Sequence, residues 1–144
     1  MSDGPAQRTP PVGLGHATMT VSDLDASHRF YTHFGLRSLG KDDGIAILEL
    51  RGGTHLLLFQ RGGAAAAAET DGPFEQKGAD SLDLMIAGRT FDDLKAFRDG
   101  LVAKGIAPDP IPDRRFFGHY VFKARDPDGN EVTVSTSHAS EFPV

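Results

Sequence analysis

The strongest constraint on this chain is that it repeats itself. A strand ending in Met19-Thr20-Val21 runs into a helix-start signal at Ser22, with Asp25 three residues on. An apolar stripe of Leu24, Phe30, Tyr31 and Phe34 follows and is halted by Gly35. The pattern then returns: Leu82-Asp83-Leu84-Met85-Ile86, the cap signal Thr90 with Asp93 behind it, a stripe of Phe91, Leu94, Phe97 and Leu101, and a stop at Gly105. Each helix carries one apolar face and has to bury it. Short strands are expected after each helix, near Leu36 to Gly40, Ile45 to Leu50 and Thr54 to Gln60 in the first half. In the second half they are expected near Ile106 to Ile111, Phe117 to Arg125 and Glu131 to Thr136. Strand, helix and three strands, twice over, predict an α+β fold. Two tandem βαβββ modules form curled mixed sheets around a shared cleft.

The boundaries follow from composition. A domain over 13–137 divides into module one at 13–60, a linker at 61–79 and module two at 80–137. Loose tails are expected at 1–12 and 138–144. The linker holds Gly62-Gly63, the alanine run Ala64 to Ala68 and Gly72-Pro73. At 144 residues the chain is long enough for one self-sufficient core. Its 15 Lys and Arg are dispersed and the net charge is −5, so it offers no footprint for a nucleic-acid backbone or an anionic membrane surface. No apolar run approaches the roughly 20 residues of a membrane span. The first residues are polar and unlike a secretory signal. There is no cysteine, which removes disulfides and thiolate sites together and suits a reducing compartment. The cytoplasm is the expected location.

Strand parity divides the side chains. Ala17, Met19 and Val21 belong against the first helix, leaving Leu14, His16, Thr18 and Thr20 for the open face. In the second module Leu82, Leu84 and Ile86 pack on the helix, and Ser81, Asp83 and Met85 face the concave side. In the last strand Val132 and Val134 turn inward, and Glu131, Thr133 and Ser135 turn out. Polar residues thus reach one surface from three strands, the usual make-up of a small-molecule cleft. Before the last strand lies Asp126-Pro127-Asp128-Gly129-Asn130, in which Pro127 presets φ and Gly129 accepts a positive φ. It reads as a hairpin turn.

These residues resemble the vicinal oxygen chelate superfamily, the glyoxalase, bleomycin-resistance and extradiol-dioxygenase fold. The resemblance rests on Gly15-His16 through Val21-Ser22-Asp23-Leu24, Phe30-Tyr31, Phe34-Gly35-Leu36, Leu56-Leu57-Leu58-Phe59 and Asp126 to Asn130, and spans about residues 13 to 137. Metal-dependent members draw His and Glu ligands from the first and last strand of each module. Carried over, these positions hold His16, Leu57 or Leu58, Ser81 and Thr133. One imidazole with two hydroxyls and a leucine is a poor donor set for a divalent ion. The resemblance therefore implies no bound metal and no cofactor. A shifted set of His16, His55, Asp83 and Glu131 can be written, but two residues along a strand is about 6.5 to 7 Å, and several strands would have to slip together. His55 is expected to flank a turn at the surface, and Glu131 to be a solvated residue beside the hairpin.

The resemblance also places the loop Arg114-Arg115-Phe116-Phe117-Gly118-His119-Tyr120 at the border of the cleft, where it would clamp an anionic or aromatic ligand. The expected ligand-binding residues are His16, Thr18, Ser81, Asp83, Arg115, His119 and Thr133. Catalytic residues are not assigned. The favoured reading is a metal-free, bleomycin-resistance-like protein that sequesters a small organic ligand and pairs as a homodimer, as many relatives do, by pairing or exchanging modules. The alternative is a glyoxalase- or dioxygenase-like enzyme, a lyase or isomerase acting on a small oxygenated substrate, either with a divalent metal at the shifted set or metal-free with His16 or His119 as a base. His28, His33, Glu49 and His138 are assigned surface or structural roles. No P-loop or nucleophile elbow is present.

Overall fold

A computed structural model describes residues 11, 14–63 and 81–137, the side chain of Ser81 excepted. The expected linker from 64 onward and most of both tails lie outside the described residues. Module one comprises β1 (His16–Val21), α1 (Leu24–His33), β2 (Arg37–Asp42), β3 (Ile45–Glu49) and β4 (His55–Gln60). Module two comprises β5 (Ser81–Met85), α2 (Phe91–Ala103), β6 (Val121–Arg125) and β7 (Glu131–Ser135). The first sheet has the order β1-β4-β3-β2 and the second β5-β7-β6. In each, the first strand runs parallel to the last, and the last is antiparallel to the strand before it. Both sheets are mixed and the fold is α+β.

The helix ends follow their capping chemistry. Thr90 and Asp93 form a reciprocal capping box on α2, with Asp93 N donating to Thr90 Oγ1 at 3.0 Å and Thr90 N to the Asp93 carboxylate at 3.1 Å. Hydrogen bonds from Thr90 hold the Asp93 carboxyl below its ordinary range. On α1 the cap is Asp23, which accepts from Ala26 N at 3.1 Å, and not Ser22 as the sequence spacing suggested. Ser22 is engaged elsewhere, donating to the Asp128 carboxylate. Gly35 and Gly105 follow their helices with φ of 101° and 87°, the left-handed conformation that favours glycine at a helix stop.

The strand expected at Ile106 to Ile111 does not form. Pro108 and Pro110 have no N–H to donate to a ladder, so the segment is fastened by other groups. Asp109 N donates to Lys123 O at 2.8 Å, and Arg98 donates to the carbonyls of Pro108 and Asp109 at 2.8 and 2.7 Å. The strand expected from Phe117 begins only at Val121, because Phe116 to His119 close a tight turn.

One core serves both modules. Met19 and Val21, Leu56 and Leu58, and Ala46 and Leu48 from the first sheet join Phe30, Tyr31 and Phe34 of the α1 region. Leu94 and Leu101 of α2 join the same cluster, as do Phe122, Ala124, Val132 and Val134 of the second sheet. The rings of Phe34 and Phe97 meet at 6.2 Å between centroids where the two helical segments touch. Tyr31, fully buried, donates its hydroxyl to Asp126 Oδ2 at 2.7 Å. Asp126, itself 4% exposed, also accepts from the backbone N–H of Asp128 and Asn130 at 2.9 and 2.8 Å and from Asn130 Nδ2 at 3.1 Å. A second tie repeats the Ser22–Asp128 contact with the modules exchanged: Arg51, after β3, donates to the carbonyls of Met85, the last residue of β5, and of Ile86 next to it, each at 3.3 Å.

Tyr31→Phe removes one hydrogen bond to a buried carboxylate and should cost about 2 kcal/mol in urea unfolding. Burial first, and the Asp126 carboxylate second, push the Tyr31 phenol well above its ordinary pKa. An unfolded tyrosine ionises near pH 10, so above that pH the unfolded chain sheds a proton that the folded chain keeps. Stability is therefore expected to fall as pH rises beyond about 10, and Tyr31→Phe should flatten that fall. An unchanged alkaline limb in the variant would contradict the assignment.

Candidate functional site

The outward faces of the two sheets hold most of the sequence-predicted site. Across the first sheet the register lines up His16 of β1, His55 of β4, Glu49 of β3 and Arg37 of β2 in one row spanning all four strands. The His16 and His55 rings meet edge to face at 5.8 Å, His55 Nε2 lies 3.6 Å from Glu49 Oε2, and Arg37 is ion-paired with Glu49. The hydrogen bond from Arg37, reinforced by its charge and by His55, holds the Glu49 carboxyl below its ordinary range against partial burial. His55 is thus part of a cross-strand polar row and not an isolated surface histidine. Glu49 and Arg37 were not singled out from sequence for this row, because only the register brings them to His16. Above this row Thr18 pairs with Leu57 and Leu57 with Ile47, and then Thr20 with Phe59 and Phe59 with Ile45, so the polar end grades into an apolar floor. Leu57 and Phe59 are only 7% and 5% exposed.

Leu57 shares the His16 face and Leu58 packs into the core, so the fourth ligand position falls on Leu57. In the second sheet Ser81 is in register with Glu131, and Asp83 with Thr133, which is in turn opposite Lys123. Glu131 is ion-paired with Lys123 at 3.0 Å and so is compensated within its own sheet. His16 and His55 stand on one sheet, Asp83 and Glu131 on the other. Among the described residues no three His, Asp or Glu side chains converge as a metal site. A leucine and a threonine at two of the four carried-over ligand positions do not fit a divalent ion.

Arg115 and His119 occupy the loop that precedes β6. The Arg115 guanidinium lies 5.2 Å from the Tyr120 ring centroid, and His119 Nδ1 is 2.7 Å from Thr136 O at the end of β7. Tyr120 packs edge to face on Phe91 at 5.2 Å, which fixes this loop beside the start of α2. Between the modules, the chain forms a groove of about 480 Å³ walled by Phe34, Leu36, Leu84 and Ile86, with Glu49 and Asp83 also lining it. Among the described side chains of the predicted ligand-binding set, only that of Asp83 lines the groove. His16 and Thr18 point away from the shared core on one sheet, and Asp83 and Thr133 do so on the other.

Paired βα modules with a parallel first and last strand, joined through a Tyr–Asp contact at an Asp-Pro-Asp-Gly-Asn turn, define a class of two-module proteins. The comparisons agree. Residues 13–134 match the family model described as Glyoxalase/Bleomycin resistance protein/Dioxygenase superfamily, and the chain belongs to that superfamily. A solved lactoylglutathione lyase from Agrobacterium tumefaciens is 24% identical, with a TM-score of 0.71 over 93% of this chain and 100% of its own, a likeness of fold. A protein from the mobile metagenome of V. Pseudocholerae is 26% identical, with a TM-score of 0.62 over 91% of this chain and 98% of its own. An integron cassette protein of V. Cholerae is 25% identical, at 0.62 over 91% and 99%. No curated protein matches the chain.

Protein purified without chelators should carry metal well below one ion per chain by elemental analysis, and added zinc should leave its melting temperature unchanged. Stoichiometric metal that disappears in His16→Ala would contradict this reading of the donor set.

Proposed function

We propose that this chain is a small-molecule-binding member of its superfamily that holds an organic ligand without a metal ion. The observation that carries this reading is the content of the four positions where metal-dependent relatives place ligands. They hold one imidazole, a leucine and two hydroxyl residues, and the leucine sits on the same face as the imidazole. Such a surface recognises shape, hydrogen-bonding groups and apolar area, and has little with which to polarise a bond. Thr18 over Leu57 and Ile47 supplies apolar floor beside hydroxyls. His16 with His55 supplies a polar end, and Asp83 beside Thr133 supplies an acceptor pair on the other sheet.

A homodimer completes the cleft in this reading. The helix sides of both sheets share one core, so strand parity puts His16 and Thr18 on the far side of one sheet and Asp83 and Thr133 on the far side of the other, and the two polar faces of a single chain come together only at the groove that Glu49 and Asp83 line. A second copy brings the His16 and Thr18 face of one chain against the Asp83 and Thr133 face of its partner, and two-fold symmetry repeats the site. The cytoplasm suits a chain without cysteine and, among the described residues, without a helix long and apolar enough to cross a membrane.

A thermal-shift screen against aromatic drugs and small organic acids should give hits that are recovered chemically unchanged. Turnover of a hit would overturn the binding-only reading. His16→Trp and Thr133→Trp should each abolish the shift by filling one wall of the cleft. Mixing the two variants through a dissociation step should restore about half of the binding in the mixed dimer, because one of its two clefts then has both walls intact. A mixture as inactive as its parents would show that the cleft is not built between copies.

A further inference from the structure

The loop before β6 contains the one non-glycine residue with a positive φ among the described residues, Phe117 at 50°. Its neighbour Gly118 has a φ of 84°, and Phe116 and His119 close the turn with reciprocal backbone bonds of 2.8 and 3.0 Å. Positive φ at both central residues is the signature of a type I′ turn, where Asn-Gly or Gly-Gly is favoured and a bulky side chain is strained. Strain of this kind persists when something else requires the side chain. Packing does not require it, since Phe117 is 102% exposed while every other phenylalanine among the described residues is buried or half-buried. The turn holds an aromatic ring in water at a conformational cost.

The two preceding residues are cations set on aromatic faces. Arg114 lies 4.3 Å from the Phe116 ring centroid and Arg115 lies 5.2 Å from that of Tyr120. Stacking on a ring fixes a guanidinium plane and leaves its N–H edges pointing outward. Neither arginine has a carboxylate or carbonyl partner among the described residues, whereas Arg37, Arg51, Arg98 and Arg125 all do. The nearby Tyr120 is anchored on Phe91 and through Thr136, so the loop is braced from below. An exposed ring beside two pre-oriented, uncompensated guanidinium groups is a recognition surface for a flat aromatic group bearing an anionic substituent.

We propose that the Arg114–His119 turn is an aromatic-anion binding element, in which Phe117 stacks on the ligand ring and Arg114 and Arg115 hold its carboxylate, sulfonate or phosphate. The proposal goes beyond the cleft reading: the turn is a second binding element with its own ligand class, so its test does not depend on the cleft walls. The probes are 2-naphthalenesulfonate and the neutral 2-naphthylmethanol, titrated calorimetrically into the full chain. The sulfonate should bind one per chain and at least about tenfold more tightly than the alcohol. Arg114→Gln with Arg115→Gln should erase that preference, and Phe117→Asn should weaken both probes by about tenfold.

Phe117→Asn separates this role from a structural one, because asparagine suits a type I′ turn: its melting temperature should rise by about 3 °C while binding falls. A fall in melting temperature would mean that Phe117 supports the fold. Equal binding of the two probes, sulfonate binding indifferent to both loop variants, or no binding at all would each overturn the proposal. Thr133→Trp should leave the sulfonate affinity within twofold if the turn binds the probe. Sulfonate binding lost in Thr133→Trp but kept in Phe117→Asn would locate the anion in the cleft, sparing the cleft reading and ending this one.

Discussion

The hydrogen bond from Tyr31 to Asp126 organises the molecule, because both groups are withdrawn from water and each needs the other. A carboxylate at 4% exposure is tolerable only when its lone pairs are filled. Asp126 fills them with the phenol from module one and with backbone and side-chain donors from its own turn. The phenol, surrounded by core and facing a negative charge, keeps its proton and therefore remains a donor. One contact thus closes the hairpin turn of module two, anchors α1 and sets the modules against each other.

The arrangement of the polar faces follows from that contact. With α1 committed to the far module, the helices and the inner sides of both sheets merge into a single core. What parity turns away from the core on each sheet is then left for the solvent or a partner. On the first sheet this is a titratable row, His16, His55, Glu49 and Arg37, grading into leucine and isoleucine. On the second it is the Asp83–Thr133–Lys123 row. Of the four ligand positions that the resemblance carries over, Leu57 and Thr133 offer a divalent ion neither imidazole nor carboxylate.

The repeat, the helix stripes, the capping box and the split between inward and outward strand residues were all legible in the sequence, since each is a local pattern with a local cause. The α1 cap was misread because Ser22 and Asp23 are both good caps, and the choice is made by Asp128, 106 residues away, which takes Ser22. The missing strand at 106–111 was readable in hindsight from Pro108 and Pro110, whose lost donors outweigh the isoleucines around them. The Glu49–His55 contact and the strained turn at Phe117 were not legible. One depends on strand register and the other on a backbone dihedral, neither of which a single sequence states.

The central claim is that the core shared by the two modules leaves the polar faces of their sheets outward, so that the proposed cleft needs two copies. The chain has no cysteine, so Thr18→Cys and Thr133→Cys report their own surroundings without interference. The decisive measurement is cross-linking with a short bis-maleimide of the doubly substituted chain and of a mixture of the single variants. The account predicts rapid cross-links between chains in the mixture. Within an isolated double variant it predicts none, because Thr18 and Thr133 stand on the far sides of two sheets whose inner sides share one core. Efficient cross-linking within one monomeric chain would contradict it.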